Sequence, residues 1–315
     1  MNASPAPVWP RTPIVPIAFA NLRGERAAWA TSRSAIVGVA YDGTIPTRGG
    51  TKDGPTAILL HSQEIETWDV ELNDDPSRLG IATLGMIDFA VAGPDAVAAA
   101  VEQSIGAIAD AGRLPVLLGG EHSVTVGAVR AMAQRYPDLT VIQIDAHGDL
   151  RDAYQGSKMS HACVMRRVVD ICPAIGIGLR CLSEEEVGVI ASGAMTVVLE
   201  HELRRDWTAL DRALSTIRGP VYLTVDLDAL DPSTMPAVAF PEPGGFSWLE
   251  LCRIMRAVAE RAAIVGCDVV ELAPALGSPA CSYIAAHVVY KLIGYATLVG
   301  PGASTLSAAS RCVVL

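Results

Sequence analysis

An apolar run that ends in alternating acids and a histidine constrains this chain more than any other feature. Residues 139–144 are mostly apolar and lead into Asp145-Ala-His147-Gly-Asp149. Successive side chains of an extended chain point to opposite sides, so these two acids and the histidine would share one face where a buried strand ends. Carboxylates and an imidazole aimed at one point suit a divalent cation of the manganese or zinc type. Taken alone, the same pattern also fits a strand end with solvated charges.

The alternation of strand-like and helix-like segments predicts the fold class. Apolar runs alternate with helical patterns from residue 34 to residue 298. A strand, a helix and a second strand within about thirty residues indicate a right-handed βαβ unit, and hence a mainly parallel sheet. We therefore predict a single-domain, doubly wound α/β fold over residues 35–315. The Pro-rich residues 1–34 are predicted to be an arm that is either loose or packed on a neighbouring subunit.

Polar clusters follow several of the predicted strands in the same way. They are Gly119-Gly-Glu121-His122-Ser123 after strand 114–118, Asp226-Leu-Asp228 after strand 221–225, and Glu271 after strand 264–270. Ligands of open α/β sheets bind at the carboxyl ends of the strands. We therefore expect these clusters to form one site together with residues 145–149.

The clusters together contain four carboxylates and two imidazoles of metal-ligand type. These are His122, Asp145, His147, Asp149, Asp226 and Asp228. So much negative charge in one cavity requires a cation, and two ions that share bridging carboxylates account for the number of ligands. Mn²⁺ is favoured over Zn²⁺ because most donors are oxygen atoms and no motif contains a cysteine. For each residue by itself, a turn acid or a strand-end histidine is the alternative.

The composition excludes several classes of partner. A net charge of −10 argues against binding to nucleic acid or an anionic membrane, and it allows cationic substrates and metals. Seven cysteines without a C-x-x-C pair predict the reduced thiols of a cytoplasmic protein. The longest apolar run, 281–299, contains Ser282, His287 and Lys291, so we predict a core helix and no membrane span.

Three of these motifs resemble the metal signatures of the ureohydrolases, the arginase and agmatinase family. They are Gly-Gly-Glu-His-Ser (119–123), Asp-Ala-His-Gly-Asp (145–149) and Thr-Val-Asp-Leu-Asp-Ala-Leu-Asp-Pro (224–232), and their order and spacing match over roughly residues 35–300. The resemblance implies an arginase-like three-layer α/β/α domain with two Mn²⁺ per subunit, assembled as a homo-oligomer, either a trimer or a hexamer. Glu121 departs from the family's usual Asp, and we expect it to adjust metal affinity without changing the reaction.

The resemblance also assigns roles to individual residues. His122, Asp145, Asp149 and Asp226 would hold one ion, and His147, Asp145, Asp226 and Asp228 the other. Ser160-His161-Ala162 matches the family's catalytic histidine, and Glu271 matches the acid that binds the substrate guanidinium. Physical reasoning agrees, because a carboxylate pairs with a guanidinium through two N–H groups and a histidine can deliver a proton to a leaving amine.

These assignments predict hydrolysis of a small cationic guanidino compound to urea and an amine. The two ions would ionise a shared water that Asp149 holds, Glu271 would orient the guanidinium, and His161 would pass a proton to the departing amine. The structural alternatives are an ion pair between Glu271 and a core arginine, and a place for His161 at the start of a helix.

Agmatine, hydrolysed to putrescine, is the predicted substrate. Pro241-Glu-Pro-Gly-Gly245 and the short loop before Ser160 resemble agmatinases. If Arg151 reaches the pocket, it would instead favour a guanidino acid such as 4-guanidinobutyrate or 3-guanidinopropionate. We favour a pairing of Arg151 with a surface acid, which removes that argument. Aminopropylagmatine is a further option.

Two functions of other classes were weighed against this prediction. Metal-dependent deacetylases have a related sheet but use one Zn²⁺, and the complete second set of ligands argues against that reading. A non-catalytic, metal-bound scaffold would have no use for six buried polar groups in one cleft. We therefore predict an enzyme.

Overall fold

The computed structural model describes residues 17–46, 49–87 and 93–303. In this part of the chain, eight strands alternate with nine α-helices and several short 3₁₀ turns. The strands are β1 (Ser34–Gly38), β2 (Ile81–Met86), β3 (Leu114–Leu118), β4 (Thr140–Ile144), β5 (Ala174–Leu179), β6 (Thr196–Leu199), β7 (Val221–Asp226) and β8 (Ile264–Val270). The helices are α1 (Gly54–His61), α2 (Pro94–Asp110), α3 (Thr125–Arg135), α4 (Val164–Val169), α5 (Glu184–Ala191), α6 (Glu200–Arg205), α7 (Thr208–Leu214), α8 (Trp248–Arg261) and α9 (Pro279–Leu298).

The eight strands form one sheet in the order β2-β1-β3-β8-β7-β4-β5-β6. Every pair of neighbouring strands is parallel. The central strands are buried along their whole length, as expected for a parallel sheet that is covered on both faces. The prediction of a mainly parallel α/β fold is confirmed.

Alternate residues of each strand enter two separate cores. In β1, Ile36 packs in the core that includes residues of α1, α8 and α9, whereas Ala35 and Val37 pack in the core of α2, α3 and α4. This alternation follows from the two-residue period of an extended chain. Helices on both faces of one sheet make the predicted three-layer α/β/α arrangement.

The four strands that carry the predicted site residues are neighbours in the middle of the sheet. Their order is β3-β8-β7-β4, so two strands from late in the sequence lie between two earlier ones. Because all of them are parallel, their carboxyl ends meet at the same edge, where open α/β sheets bind ligands.

Capping boxes mark the starts of two helices, α5 and α8. Ser183 accepts the N–H of Glu186, and the Glu186 carboxylate accepts the N–H of Ser183; Ser247 and Glu250 do the same at the start of α8. Glu186 also accepts the N–H of Leu150 at 3.1 Å. The cap of α5 therefore also fixes the loop that follows β4.

The segment between β6 and β7 differs from the prediction. The sequence predicts a helix over residues 205–217; the structure has α7 within this range and a separate, unpredicted helix, α6, before it. Asp206 lies between them in an extended conformation, and its side chain accepts both the N–H and the hydroxyl of Thr208. An acid that satisfies the first free N–H groups of a helix favours a new helix start at this position.

Residues 17–33 pack on the domain itself, unlike the predicted arm. Phe19 is fully buried and stacks on Tyr290 of α9, with ring centroids 6.4 Å apart. The N–H of Phe19 donates to Thr83 Oγ1 in β2. Residues 1–16 of the predicted arm lie outside the described residues.

The long apolar run near the end of the chain forms α9, as predicted. Thirteen of its residues are buried, so it is a core helix. None of the described helices combines the length and the apolar character that a bilayer crossing requires.

Candidate active site

The six predicted metal ligands meet at the carboxyl ends of β3, β4 and β7. Two groups with the spacing of metal ligands share one acid: His122, Asp145 and Asp226 form the inner cluster, and Asp145, His147 and Asp228 form the outer cluster. Asp149 is close to the inner cluster, with Oδ2 3.0 Å from His122 Nδ1. The sequence prediction that these residues form one site therefore agrees with their positions.

The inner cluster surrounds one nitrogen atom with carboxylates. His122 Nδ1 lies 3.2 Å from Asp145 Oδ2, 3.0 Å from Asp149 Oδ2 and 3.4 Å from Asp226 Oδ2. Nδ1 is nevertheless a buried polar atom without a hydrogen-bond partner. One imidazole nitrogen and three carboxylate oxygens around one point form a donor set that fits a divalent cation.

Hydrogen bonds behind His122 fix its orientation. The buried carboxylate of Asp268 accepts from Thr125 Oγ1, Tyr222 OH and Thr224 Oγ1, the last at 2.5 Å. Thr224 Oγ1 has donated its only hydrogen to Asp268, so it accepts from His122 Nε2 at 2.9 Å. The proton of His122 is then on Nε2, which leaves the Nδ1 lone pair directed at the carboxylates, as a metal ligand requires.

The outer cluster lies nearer the mouth of the site. His147 Nδ1 is 2.8 Å from Asp228 Oδ2 and 3.7 Å from Asp145 Oδ1, while its Nε2 is 3.7 Å from Glu242 Oε1. Asp145 is therefore within reach of both clusters. The carboxylate of Glu242 had no role in the sequence analysis.

The structure also brings a cysteine to the outer cluster. Cys181 lies beside His147, because β5 is the neighbour of β4 and the two residues form a backbone bridge beyond the strand ends. Cys181, His147 and Glu242 form a third group of ligand type. Cys181 belongs to none of the sequence motifs, so the sequence did not indicate this thiol.

Arg180 holds the loop that carries Glu242. Its Nη2 donates to the carbonyl oxygens of Asp228 and Glu242 at 2.7 and 3.1 Å, and its Nε donates to the carbonyl of Pro243. One half-buried guanidinium thus fixes the loop 241–245 against the outer cluster. The sequence contains no motif that indicates this role.

Burial gives the acids of the site unusual pKa values. Burial raises the pKa of Asp149 to about 7, and burial together with Asp228 and Asp145 raises the pKa of Asp226 well above its usual value. Burial lowers the pKa of His122, but the surrounding carboxylates raise it overall. Protons and divalent cations therefore compete for the same atoms, and bound cations would keep the acids ionised.

Two site acids have backbone conformations that residues other than glycine rarely adopt. Asp149 and Glu271 have φ angles of 51° and 67°. Such strain costs on the order of 1–3 kcal/mol per residue and concentrates at functional sites. Glu271 is held by two hydrogen bonds, from its N–H to Gly120 O and from the N–H of His122 to its Oε1 at 2.7 Å. Its partner is thus backbone and not the core arginine of the alternative interpretation.

A single cleft joins the metal ligands to the two predicted catalytic residues. Its volume is about 140 Å³. The cleft is lined by His122, His147, Asp149, Arg151, Tyr154, His161, Ala162, Asp226, Asp228, Phe240 and Glu271. His161 and Glu271 therefore lie on the same cavity as the ligands.

His161 lies at the start of a short 3₁₀ turn that precedes α4. Its ring stacks on Phe240, with centroids 6.0 Å apart, and meets the ring of Tyr154 edge-on at 5.6 Å. Burial, followed by the charges of His122 and His147, lowers the pKa of His161 to about 4. The imidazole is therefore neutral at pH 7. His161 thus has the helix-start position of the structural alternative, and this position is compatible with a role in the cleft.

Arg151 lies on the cleft and not on a surface acid. Its guanidinium is 5.4 Å from the centroid of the Tyr154 ring. Within the described residues it forms no ion pair, and the neighbouring Asp152 pairs instead with Lys158 and Arg167. The pairing that we favoured for Arg151 is therefore wrong.

The fold and the site define a class of protein: a hydrolase of the three-layer α/β/α type with ligand clusters for a binuclear metal site. The model of the Arginase family matches residues 32–294, and the chain belongs to this family. This membership confirms the predicted family. It also confirms the predicted activity, the hydrolysis of a guanidino compound to urea and an amine.

Individual relatives are similar over most of their length. The chain is 37% identical over 277 residues to the N(1)-aminopropylagmatine ureohydrolase of Synechocystis sp., and the match covers 85% of this chain and 90% of that protein. It is 31% identical over 265 residues to the agmatinase of Pyrococcus horikoshii, with 82% and 90% covered. The solved structure of the agmatine ureohydrolase of Thermoplasma volcanium has a TM-score of 0.81 and 29% identity, and the match covers 91% of this chain and 96% of that one.

Proposed function

We propose that this protein hydrolyses a guanidino amine, N(1)-aminopropylagmatine or agmatine, to urea and an amine with the help of two Mn²⁺ ions. The observation that supports this proposal is the common cleft of the two ligand clusters, Glu271 and His161. It provides sites for cations, a carboxylate for a guanidinium and a neutral imidazole for a proton.

The six clustered residues are the proposed metal ligands. His122 Nδ1, Asp145, Asp149 and Asp226 would hold the inner ion, and His147 Nδ1, Asp145, Asp226 and Asp228 the outer ion. Mainly oxygen donors favour Mn²⁺, although Cys181 beside the outer cluster makes Zn²⁺ the competitor to test. Bound divalent ions would supply the positive charge that activates a water molecule and stabilises developing negative charge.

Glu271 is proposed to bind the guanidinium. Its Oε1 already accepts the N–H of His122 at 2.7 Å, which leaves Oε2 and the second lone pair of Oε1 for two substrate N–H groups. Burial raises the pKa of Glu271 well above its usual value, so the ionised form requires a cation beside it. A guanidinium supplies that charge, and the carboxylate in turn orients the reacting carbon.

His161 is proposed to move the proton. Its Nδ1 lies 3.1 Å from Thr44 Oγ1, so Nε2 is the ring nitrogen that remains for the substrate. The neutral imidazole can accept a proton at Nε2 and release it to the nitrogen of the leaving amine. Phe240 and Tyr154 flank the ring and exclude water from it.

The tail of the substrate is proposed to carry an amine. The relative with the higher identity is named for aminopropylagmatine and the other for agmatine, so we put aminopropylagmatine first. Glu242, at the mouth beside His147, offers a carboxylate for an ammonium group of the tail.

A guanidino acid is the second candidate because of Arg151. Its guanidinium lines the cleft over Tyr154 and would pair with a substrate carboxylate. For such a substrate, Arg151→Ala would sharply raise KM, whereas for an amine the same change removes a repulsive charge and would leave KM equal or lower. Measuring KM for both kinds of substrate in this variant separates the two candidates.

Urea release tests the proposal directly. The Mn²⁺-loaded protein would be incubated with aminopropylagmatine, agmatine, arginine, 4-guanidinobutyrate and 3-guanidinopropionate. We expect the highest kcat/KM for the two amines, loss of activity with a chelator and recovery with Mn²⁺. No urea from any compound would refute the proposal, and a preference for the acids would establish the second candidate.

A homo-oligomer in the cytoplasm is part of the same proposal. The six cysteines in the described part of the chain are free thiols, which fits a reducing compartment. Light scattering would give three or six times the chain mass of 33.0 kDa for a trimer or a hexamer. A monomer would contradict the proposed assembly without affecting the chemistry.

A further inference from the structure

We propose that Glu121 and Thr44 are positioning residues for His161. They fix the orientation of the imidazole ring and thereby direct Nε2 to the substrate. The inference rests on the proposed function, in which His161 handles the proton of the leaving amine. It concerns residues that touch neither the guanidinium nor the metal donor atoms.

Glu121 is fully buried and accepts three hydrogen bonds. Its Oε2 accepts the N–H of Thr44 at 2.7 Å, and its Oε1 accepts the hydroxyls of Thr44 at 2.7 Å and Ser123 at 2.5 Å. One carboxylate therefore holds both the backbone and the side chain of Thr44. The contact is possible because β1 and β3 are neighbours, and the N–H of Glu121 donates to Tyr41 O in the loop after β1.

The hydrogen of the Thr44 hydroxyl then determines the proton position on His161. A hydroxyl has one hydrogen and two lone pairs, and the hydrogen of Thr44 points to Glu121. The lone pairs of Thr44 Oγ1 accept from the backbone N–H of His161 at 3.0 Å and from His161 Nδ1 at 3.1 Å. The ring proton is therefore on Nδ1, and Nε2 carries the free lone pair.

The aromatic neighbours of His161 cannot determine this orientation by themselves. Phe240 stacks at an interplanar angle of 14°, and Tyr154 meets the ring at 80°, so together they fix the plane of the imidazole. A 180° rotation about the Cβ–Cγ bond keeps that plane but exchanges the nitrogen and carbon positions of the ring. Two contacts to Nδ1 distinguish the two orientations: Thr44 Oγ1 at 3.1 Å is the closer one, and Ser160 Oγ lies at 3.3 Å.

This network also explains the glutamate at position 121. The carboxylate is directed toward Thr44 and Ser123, in the direction of His161, and not toward a metal donor atom. An aspartate is one methylene shorter and would not reach both polar atoms of Thr44 from the same backbone position. We therefore assign this departure from the usual family motif to proton handling and not to metal affinity.

Substitution of Thr44 tests the inference. Thr44→Val keeps the shape but removes the hydroxyl, and we expect kcat to fall roughly 10–100-fold while KM and metal content stay unchanged. Thr44→Ser should restore most of the activity. Glu121→Gln should lower kcat in the same direction, because the amide can donate to Thr44 Oγ1 and disturb the proton arrangement. Thr83→Val is the matched control, since Thr83 Oγ1 also accepts a backbone N–H but lies in β2.

A double-mutant cycle separates positioning from a general structural effect. In the His161→Ala background, Thr44→Val should cause no further loss of kcat, because its effect operates through the imidazole. An equal loss in both backgrounds, or a loss that parallels metal content, would overturn the inference while leaving urea release by the wild type intact. A wild type that releases no urea would instead overturn the proposed function, and this inference with it.

Discussion

The inner and outer ligand clusters differ in burial and in the elements that support them. The side chain of His122 is 1% exposed, and its Nε2 contacts Thr224 of β7, which donates to Asp268 of β8. The side chain of His147 is 23% exposed, and its Nε2 faces Glu242, which is 34% exposed and lies on a loop. The inner cluster therefore has support from the rigid sheet, whereas the support of the outer cluster can vary with the loops.

This difference indicates a division of roles between the two clusters. Ligands at the strand ends keep their geometry because the sheet and both helical layers hold them. Loop-borne groups at the mouth are exposed to solvent and lie where a substrate tail would pass. We expect substitutions behind the inner cluster to affect metal binding and the reaction, and those at the outer mouth to affect mainly the choice of substrate.

The largest effect is expected from Asp226→Asn, because Asp226 belongs to the inner cluster and is proposed to be a ligand of both ions. Its Oδ2 lies 3.4 Å from His122 Nδ1, and its Oδ1 accepts the N–H of Asp228. We expect kcat/KM to fall by at least about 1,000-fold, with fewer than two metal ions per chain. Urea release and metal analysis measure both quantities.

Asp231→Asn is the matched control for this substitution. Asp231 belongs to the same motif, but its side chain accepts from Ser233. Activity near that of the wild type is expected for it. A fully active Asp226→Asn protein with two ions per chain would show that Asp226 is not required as a metal ligand.

A smaller effect is expected from Thr224→Val, which removes the contact behind the inner cluster. His122 would lose the acceptor of its Nε2–H, so Mn²⁺ should bind roughly 10–100-fold more weakly. Glu242→Gln is the corresponding change at the outer cluster, and we expect only a few-fold effect because the 3.7 Å contact is partly solvent-screened. Metal titrations of both variants compare the clusters directly, and a larger effect of Glu242→Gln would reverse the comparison.

The smallest predicted effect is a change with pH in the stability of the chelator-treated protein. Burial raises the pKa of Asp149 to about 7 and also raises that of Asp226, so folding without metal favours their protonated forms. The stabilising contribution of Asp149 is complete below the unfolded pKa of about 4 and is lost as pH rises through about 7, and that of Asp226 is lost in the same direction. The lowered pKa of Asp145, despite its burial, adds stability that is already constant above pH 5.

We therefore expect the Tm of the chelator-treated protein to fall by a few degrees between pH 5 and pH 8. Mn²⁺ should bind more tightly and raise Tm more at the upper end of this range, because its ligands must be deprotonated. Thermal unfolding at four pH values with and without Mn²⁺ measures this. A Tm of the metal-free protein that rises over the same range would contradict the proposed origin of the shifts.

Much of the fold and the ligand set could be predicted from local sequence patterns. The runs before Asp145 and Asp226 have the length and apolar character of buried strands, and the alternate spacing of the acids places them on one side. The contacts behind the ligands were missed. Thr44 and His161 are 117 residues apart, and no periodicity in either segment indicates the other.

Two incorrect predictions have the same cause. The helix predicted over 205–217 begins only at Thr208, after the separate helix α6, because Asp206 accepts the N–H of Thr208 at the new helix start, a competition that hydrophobic periodicity does not reveal. The prediction for Arg151 was an ion pair with a surface acid. The neighbouring acid, Asp152, is instead paired with Lys158 and Arg167. Both outcomes depend on which side chains are near in space.

The sequence by itself determined the kind of donor at each strand end and the side to which it points, because the two-residue period of an extended chain is a local property. The tertiary structure alone decided which strand ends meet. The packing of helices on both faces inserts β8 and β7 between β3 and β4, and this order brings Glu271 and Asp226 between His122 and Asp145. Strand order depends on contacts between segments far apart in the chain, so it is not contained in any local pattern.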